Sequence, residues 1–252
     1  MKNTIISLLL LLLAVSSCNS NDEPLPSGDM PLKYVDYCTI EGDGKSDFVF
    51  HGDDSPLYLK LTVAPSSSLS TLVESGVRRV QAAFELPKSF DTSLINQVDT
   101  VVVKNSVLLQ LVPVETHDIL SAMEADVAGV SSTDNTHIPS AIDAKGCRGF
   151  ITLKGVYGYM VNSSDKTPVK VYMYVDESRC KSDVLALQLV YTREDIDGYD
   201  LLRYDARTDC FALKSLKSRY GSLSSVKVEI RSRGNLMTTL NLLGSDFTSP
   251  ID

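Results

Sequence analysis

The sequence predicts an all-β protein in which a small barrel is followed by a β-sandwich. Three observations predict this fold class. Short segments alternate between apolar and polar residues from Tyr34 onward, turn residues separate these segments, and no repeat period of about 20 to 50 residues is visible. The absence of such a period weighs against a propeller or a solenoid.

The first half contains five alternating segments at the spacing expected of a small barrel. They are 47–51, 56–63, 77–86, 98–104 and 107–114. Asn105-Ser106 predicts a tight hairpin between the last two. Ser66–Glu74 is a serine-rich interruption between strands, and Thr116–Ala128 has the apolar spacing of a short helix.

The second half restarts after a polar, turn-rich segment and is β-rich in composition. Its predicted strands are 149–161, 169–175, 184–191, 210–213, 226–231 and 237–243. Gly155 and Gly158 predict a bend in the first of them. We therefore place the barrel domain at 34–125, a linker at 126–144 and the sandwich domain at 145–252.

The N-terminal segment predicts export and lipid attachment. Residues 1–17 hold one lysine and a short apolar run, which is the pattern of a secretory signal peptide. Val15-Ser16-Ser17-Cys18 resembles a lipobox, in which Cys18 becomes the acylated (palmitate-type) N-terminus of the mature chain. Several acyl chains give stable membrane anchoring. The alternative is a plain secretory signal in which Cys18 falls by chance.

Residues 18–33 are polar and proline-containing and predict a flexible tether. Asn19, in place of aspartate, argues against retention at an inner membrane, and Asp22-Glu23 resembles an acidic surface-export signal. We expect a lipid-anchored protein of the outer membrane. Exposure on the cell surface and a periplasmic orientation both stay open.

The charge of the chain weighs against nucleic-acid binding. The precursor carries a net charge of −8, and loss of residues 1–17 removes only Lys2 among charged side chains, which leaves −9. No basic surface is implied by that total. We expect no nucleic-acid partner.

Four further cysteines, Cys38, Cys147, Cys180 and Cys210, would meet an oxidising compartment after export. We consider Cys180 with Cys210 as a possible disulfide, because both stand at ends of strands expected to be neighbours. Free thiols are the equal alternative, and no pair has Cys-x-x-Cys spacing.

Motifs for catalysis or metal binding are absent from the sequence. His51, His117 and His137 are isolated, and neither a His-Glu-x-x-His nor a Gly-x-Ser-x-Gly pattern occurs. The acidic clusters do not fit an EF-hand loop, so solvated turns explain them best. We predict no catalytic residues, no metal site and no cofactor.

Four tyrosines are the candidate ligand platform: Tyr157, Tyr159, Tyr172 and Tyr174. The members of each pair are two positions apart within one strand, so they share a face of that strand. Exposed, they would contact a glycan or a protein. Buried, they would be part of the sandwich core.

Three strand patterns resemble the NigD-like lipoproteins of anaerobic Gram-negative bacteria. They are Asp47–Phe50, Gly76–Phe84 and Asp183–Tyr191. The resemblance implies that the first half is an OB-like barrel and the second a β-sandwich. It also suggests an immunity-type or accessory role, because the family took its name from a bacteriocin locus. Gly52-Asp53-Asp54-Ser55 and Lys145-Gly146-Cys147-Arg148-Gly149 depart from the family pattern.

These observations together predict a noncatalytic outer-membrane or surface lipoprotein that binds or protects by contacting another protein. The alternative is a carbohydrate-binding accessory lipoprotein of a surface glycan-uptake system, for which exposed tyrosines would be the distinguishing feature.

Overall fold

A computed structural model describes residues 32–43, 45–53, 59–91, 101–131, 137–162, 165–194, 197–199 and 201–251. The predicted signal peptide, Cys18 and most of the predicted tether lie outside these residues. Leu32–Asp252 forms one compact unit. Among the described helices, none has the length and apolar character needed to cross a bilayer. The prediction of an all-β protein is confirmed, since strands dominate and pair into three sheets.

The first sheet contains six strands in the order β5-β3-β2-β1-β4-β6. The strands are β1 (Lys33–Glu41), β2 (Phe48–Gly52), β3 (Leu59–Val63), β4 (Arg79–Glu85), β5 (Val101–Val103) and β6 (Val107–Pro113). β1, β2 and β3 form an antiparallel meander, β4 returns beside β1, and β5 pairs in parallel with β3. Alternate residues of these strands point inward and form one apolar core.

Hydrogen bonds do not close this sheet, so the small barrel predicted from the sequence is open. Its two end strands, β5 and β6, follow each other in the chain and are joined only by Lys104–Ser106. Four Cα steps from Val103 to Val107 span at most about 14 Å. The sheet therefore curls so that these ends of β5 and β6 lie within that distance of each other, and both strands keep one side unpaired among the described strands.

The hairpin predicted at Asn105-Ser106 is wrong. β5 pairs with β3 and β6 pairs with β4, so the two strands on either side of Asn105 have different partners. Asn105 adopts a φ of 59°, its backbone N–H donates to Thr62 Oγ1 over 3.2 Å, and Ser106 N–H donates to Thr62 O over 3.0 Å. The segment bends a continuing chain around the sheet instead of reversing it.

Two short helices replace the expected local structure. The serine-rich interruption contains α1 (Ser67–Glu74), which Ser66 caps by accepting from Leu69 N–H, and whose Leu69 and Val73 are buried four residues apart. The helix predicted over 116–128 is shorter: α2 (Ala122–Val127) begins after a capping box between Ser121 and Glu124. The residues before it, Glu115–Asp118, form a strand, β7, because they pair in parallel with a distant strand.

The remaining strands form the two layers of a sandwich. One sheet has the order β7-β12-β9-β8 and the other β10-β11-β13-β14. The strands are β8 (Ala141–Cys147), β9 (Phe150–Val161), β10 (Val169–Val175), β11 (Val184–Arg193), β12 (Leu201–Ala212), β13 (Val226–Ser232) and β14 (Asn235–Leu242). Short helical turns, Lys214–Leu216, α3 (Lys217–Tyr220) and Gly244–Phe247, connect or follow them.

Side chains from both layers fill the space between the sheets. Ile151 and Leu153 of β9, Phe211 of β12, Leu187 of β11 and Val228 of β13 are fully buried in one cluster. This arrangement is a face-to-face sandwich. β8 begins within the segment assigned to a linker, and β12 begins nine residues before the strand that the sequence predicted at 210–213.

A buried arginine joins the first sheet to the sandwich. Arg79 of β4 is 2% exposed and forms an ion pair with Asp53, which is also 2% exposed. It donates to the hydroxyls of Thr39 and Thr152 over 3.0 Å, and its Nε contacts Cys210 Sγ over 3.4 Å. Because Thr152 and Cys210 belong to β9 and β12, one side chain holds strands from both halves.

Candidate functional site

The four tyrosines, for which the sequence left a ligand platform and a place in the core open, do not share one surface. Tyr157 is 2% exposed and packs edge-to-face on Tyr191, with ring centroids 5.2 Å apart. Tyr172 and Tyr174 are half-buried in a cluster with Val190 and with Ala125 of α2. Tyr159 is half-buried, and Lys166 Nζ lies 5.2 Å from its ring centroid. Among the four, Tyr157 and Tyr159 line the same cavity.

That cavity, which we call the sandwich mouth, opens where the two sandwich layers separate. It has a volume of about 450 Å³, within the range of small-ligand sites. Its lining comes from β9, β10, β12 and the connection before β10: Tyr157, Tyr159, Asp165, Lys166, Thr167, Pro168, Val169, Asp205 and Arg207. Polar groups replace core side chains here because β12 carries Asp205 and Arg207 on the same face as Asp209 and Phe211.

Tyr157 reaches the mouth because Gly155 leaves room for its ring. A Cβ on Gly155 would lie 2.4 Å from the Tyr157 hydroxyl oxygen. Burial raises the pKa of the Tyr157 phenol well above its usual value, and the nearby negative charge of Asp209 raises this pKa further. The hydroxyl is buried and has no hydrogen-bond partner among the described residues. The Tyr157 phenol is therefore neutral and forms the buried end of the cavity.

Arg207 forms the inner wall of the sandwich mouth and connects three strands. Its Nη2 lies 2.5 Å from Glu115 Oε2 of β7, and its Nε lies 2.7 Å from Asp209 Oδ1. Its Nη1 donates to the carbonyl oxygen of Val169 in the opposite layer over 3.0 Å. The guanidinium is thus held by charge-assisted hydrogen bonds and cannot leave without exposing two carboxylates to each other.

His117 belongs to the same network, although its sequence context left it isolated. Its Nε2 lies 3.0 Å from Asp209 Oδ1 and 3.8 Å from Glu115 Oε1. The parallel pairing of β7 with β12 brings these residues together, since Asp209 faces Glu115 and Phe211 faces His117 in the register. The alternation of Glu115 with His117 was the available signal, but it needed the identity of the partner strand.

Glu115, His117 and Asp209 offer the donor types of a divalent-cation site. One ligand atom from each lies within 4.8 Å of the others. However, the Arg207 guanidinium already lies 2.5 Å from one carboxylate and 2.6 Å from the other. This fixed cation compensates one of the two negative charges and already occupies an oxygen of each carboxylate. We therefore assign this cluster to positioning Arg207 at the mouth.

A second candidate surface is β6 together with the groove beside it, which we call the β6 edge. β6 ends the first sheet, and along it Val107 is 54%, Leu109 47% and Val112 43% exposed. The groove, of about 330 Å³, separates β6 from α1. It is lined by Ser68, Leu69, Leu72, Leu108, Leu111 and Pro113. Exposed apolar side chains on a strand at the end of a sheet mark a docking surface.

The possible disulfide between Cys180 and Cys210 is not formed. Cys210 is fully buried against Arg79 and Thr152, whereas Cys180 lies in the turn before β11, where Ala186 N–H donates to its sulfur over 3.4 Å. The two thiols thus have different surroundings on different layers. Cys38 and Cys147 are also thiols in the described chain. Lipidation at Cys18 lies outside the described residues and stays a prediction.

Comparison with known proteins gives fold-level likeness alone. No protein-family model matches the chain, and no curated protein matches it. A toxin-related protein, provisionally so described, from Parabacteroides distasonis is 11% identical, with a TM-score of 0.47 over 85% of this chain and 95% of that one. A protein of unknown function from Bacteroides vulgatus is 13% identical, with a TM-score of 0.47 over 84% and 90%. A protein provisionally described as a lipoprotein, from Bacteroides fragilis, is 10% identical, with a TM-score of 0.48 over 84% and 96%.

Proposed function

We propose that this chain is a noncatalytic lipoprotein of the outer membrane, anchored through Cys18, that binds another protein through the β6 edge. The observation that carries the proposal is the exposure of Val107, Leu109 and Val112 on one end strand. The leader and the lipobox-like residues Val15–Cys18 support the anchor.

The chemistry of the β6 edge favours an extended apolar segment as the bound part of the partner. β6 pairs with β4 on one side, and no described strand pairs with its other side. Backbone groups on that side can pair with an added strand, while the groove beside α1 accepts alternate side chains of that strand. Such an interface combines hydrogen bonds with burial of apolar surface that is now exposed to water.

A binding role without catalysis is supported by the surroundings of two histidines. His51 hydrogen-bonds Glu41 and His117 hydrogen-bonds Asp209, and neither ring hydrogen-bonds a serine, threonine or cysteine side chain within the described ranges. A hydrolytic triad requires a histidine beside such a nucleophile.

The finer identity is also part of the proposal. The three strand patterns resemble NigD-like lipoproteins, and the pairing of β1 with β2 and β4, together with the parallel pairing of β3 and β5, supports an OB-type first half. On this basis we propose an immunity-like or accessory role, in which the chain contacts another envelope protein and thereby protects or assists the cell.

The binding surface is tested by placing a photo-crosslinking amino acid at Leu109 in the full-length chain expressed in its own cells. Leu236, 49% exposed on β14, is the matched control position. We expect a discrete heterologous adduct from position 109 and none from position 236. The adduct partner, once purified, should lose binding to a Leu109→Lys variant. Equal adducts from both positions, or only an adduct between two copies of this chain, would contradict the proposal.

The anchor is tested by acyl labelling of the wild type and of Cys18→Ala, followed by protease treatment of intact cells. Labelled wild type and unlabelled Cys18→Ala support lipid attachment at this cysteine. Loss of the labelled protein after proteolysis supports surface exposure, whereas protection supports the periplasmic face. Equal labelling of both chains would refute the anchor.

A second candidate function, carbohydrate binding, is favoured by the sandwich mouth. Tyr159 offers a half-exposed aromatic face, and Asp205 and Lys166, whose charged atoms lie 3.8 Å apart, offer hydrogen-bond partners for hydroxyl groups. Calorimetric titration with neutral oligosaccharides tests it. Tyr159→Ala should abolish any binding, whereas Tyr204→Ala, which removes a tyrosine 58% exposed elsewhere on β12, should not. The same loss in both variants would argue against the mouth as the site.

A further inference from the structure

A cluster of basic residues lies on the outer face of the β10-β11-β13-β14 sheet. Along β13, Val226, Val228 and Ile230 point into the sandwich core, so Lys227, Glu229 and Arg231 point outward. The parallel register of β11 with β13 places Val184 opposite Lys227. Two basic side chains and one acidic side chain therefore lie in a row along the outer face of β13.

The turn between β10 and β11 completes a cavity over that row. Arg179 and Lys181 extend from the turn, and together with Val184, Lys227, Glu229 and Arg231 they line a space of about 360 Å³. We call this space the basic cavity. It lies on a different layer from the sandwich mouth, whose wall is Arg207.

Four cations and one carboxylate line the basic cavity. Lys227 Nζ and Arg231 Nη2 each lie 2.8 Å from an oxygen of Glu229, and these two hydrogen bonds lower the pKa of Glu229 to about 2. Arg179 has its own partner, Asp176, at 3.3 Å. Lys181 has no ion-pair partner among the described residues. Two positive charges are thus left without a compensating carboxylate.

One residue that lines the cavity also has a buried donor without an acceptor among the described residues. Arg231 donates through Nη1 to Gly234 O over 3.1 Å and through Nη2 to Glu229, but its Nε is buried and unpartnered in the described part of the chain. A buried charged donor without an acceptor is costly. Because this atom is buried, it does not face the open cavity, and the excess positive charge of the lining carries the argument for an anion.

We propose that the basic cavity binds a phosphate or sulfate group. A tetrahedral dianion matches the two uncompensated charges, accepts hydrogen bonds on every side, and suits the fork of an arginine beside point charges from lysines. The group can be free phosphate or the headgroup of a phosphate-bearing lipid, and both present the same chemistry to the cavity.

Inorganic phosphate is the probe, titrated by calorimetry at low ionic strength into the mature chain carrying Cys18→Ser. We expect saturable phosphate binding. The double variant Arg179→Ala/Lys181→Ala should weaken it roughly tenfold or more, because two positive charges are lost from the lining. Both side chains are exposed, so these substitutions should not disturb the core. Glu229→Gln should tighten binding, because it removes the one negative charge in the lining. Lys170→Ala, an exposed lysine on β10 of the same sheet, is the matched control and should change little.

The same measurements can also refute the proposal. Absence of saturable binding, equal weakening by Lys170→Ala, or weaker binding by Glu229→Gln would each overturn it. The two sources are then distinguished with phosphatidylcholine vesicles that contain or lack phosphatidic acid. Binding to phosphatidic acid vesicles that is lost in Arg179→Ala/Lys181→Ala supports a lipid headgroup, whereas phosphate binding without vesicle binding supports a free anion.

Discussion

Removal of Arg79 should destabilise the protein more than removal of any surface charge. Arg79→Ala leaves the Asp53 carboxylate buried without its cation and removes donors from Thr39 and Thr152. It also removes the cation that lies 4.8 Å from the centroid of the Phe150 ring. Breaking a buried ion pair by removing one partner costs about 3–5 kcal/mol. We expect a loss of that size in the free energy of unfolding.

The neighbouring arginine provides the control for this prediction. Arg78 is half-buried and its described contact is one hydrogen bond of 2.8 Å to Gly42 O, a carbonyl that water can reach after Arg78→Ala. The expected loss is about 1 kcal/mol. Replacing both members of the buried pair, as Arg79→Met/Asp53→Leu, should recover much of the stability because no isolated charge remains.

Urea denaturation of the mature chain carrying Cys18→Ser, followed by circular dichroism and tyrosine fluorescence, measures these differences. Coincidence of the two probes shows whether both halves unfold together. The reasoning is refuted if Arg79→Ala and Arg78→Ala cost the same within about 1 kcal/mol, or if the double replacement is no more stable than Arg79→Ala alone.

Three further predictions concern single sites. Gly155→Ala should lower stability by about 1–3 kcal/mol, because its Cβ would lie 2.4 Å from the buried Tyr157 ring; an unchanged melting temperature would contradict this. Tyr157→Phe should leave stability unchanged or raise it by about 1 kcal/mol, since it deletes a hydroxyl without a described partner, and a loss above that size in urea denaturation would show a missing partner. Burial lowers the pKa of His51 below its ordinary value of 6.5, and the hydrogen bond to Glu41 partly offsets this decrease. The neutral imidazole therefore contributes stability that is fully present above pH 6.5 and is lost as the pH falls from 6.5 through the pKa of the folded protein. Titration by NMR should therefore give a His51 pKa below 6.5 and a still lower pKa in Glu41→Gln; an increase in that variant would refute the assignment.

Local patterns predicted the strands whose own residues strongly favour β structure. Val169–Val175 and Val184–Tyr191 are rich in β-branched and aromatic residues, and β10 and β11 begin at the expected residues. The first nine residues of β12 were missed, because eight of them, Leu201–Thr208, have exposed or half-exposed side chains on both faces. Its pairing with β9 defines it as a strand, and that pairing joins residues about 50 positions apart in the chain.

The faces of adjacent residues were predictable, but their depth was not. Strand alternation places Arg78 and Arg79 on opposite faces, but it does not indicate that Arg79 is buried and paired with Asp53. Tyr157 and Tyr159 share a face, as predicted, and differ in burial because Tyr157 lies deeper between the layers. Depth along a strand depends on the opposite sheet, which local periodicity does not describe.

Residues 107–118 link the two candidate binding surfaces, and the contacts between them determine how far one can influence the other. β6 carries the exposed valines and leucines, and β7 carries Glu115 and His117, which hold Arg207 at the sandwich mouth. Val114 separates the two strands and is fixed: it is 7% exposed, contacts Phe150 and Cys210, and donates its N–H to Arg79 O over 3.0 Å. Because this anchor is held by both halves, a charge introduced at Leu109 should not reach Arg207. Protein binding at the β6 edge and ligand binding at the mouth can therefore be tested separately by single substitutions, and a Leu109→Lys variant that lost both would indicate that the anchor had unfolded.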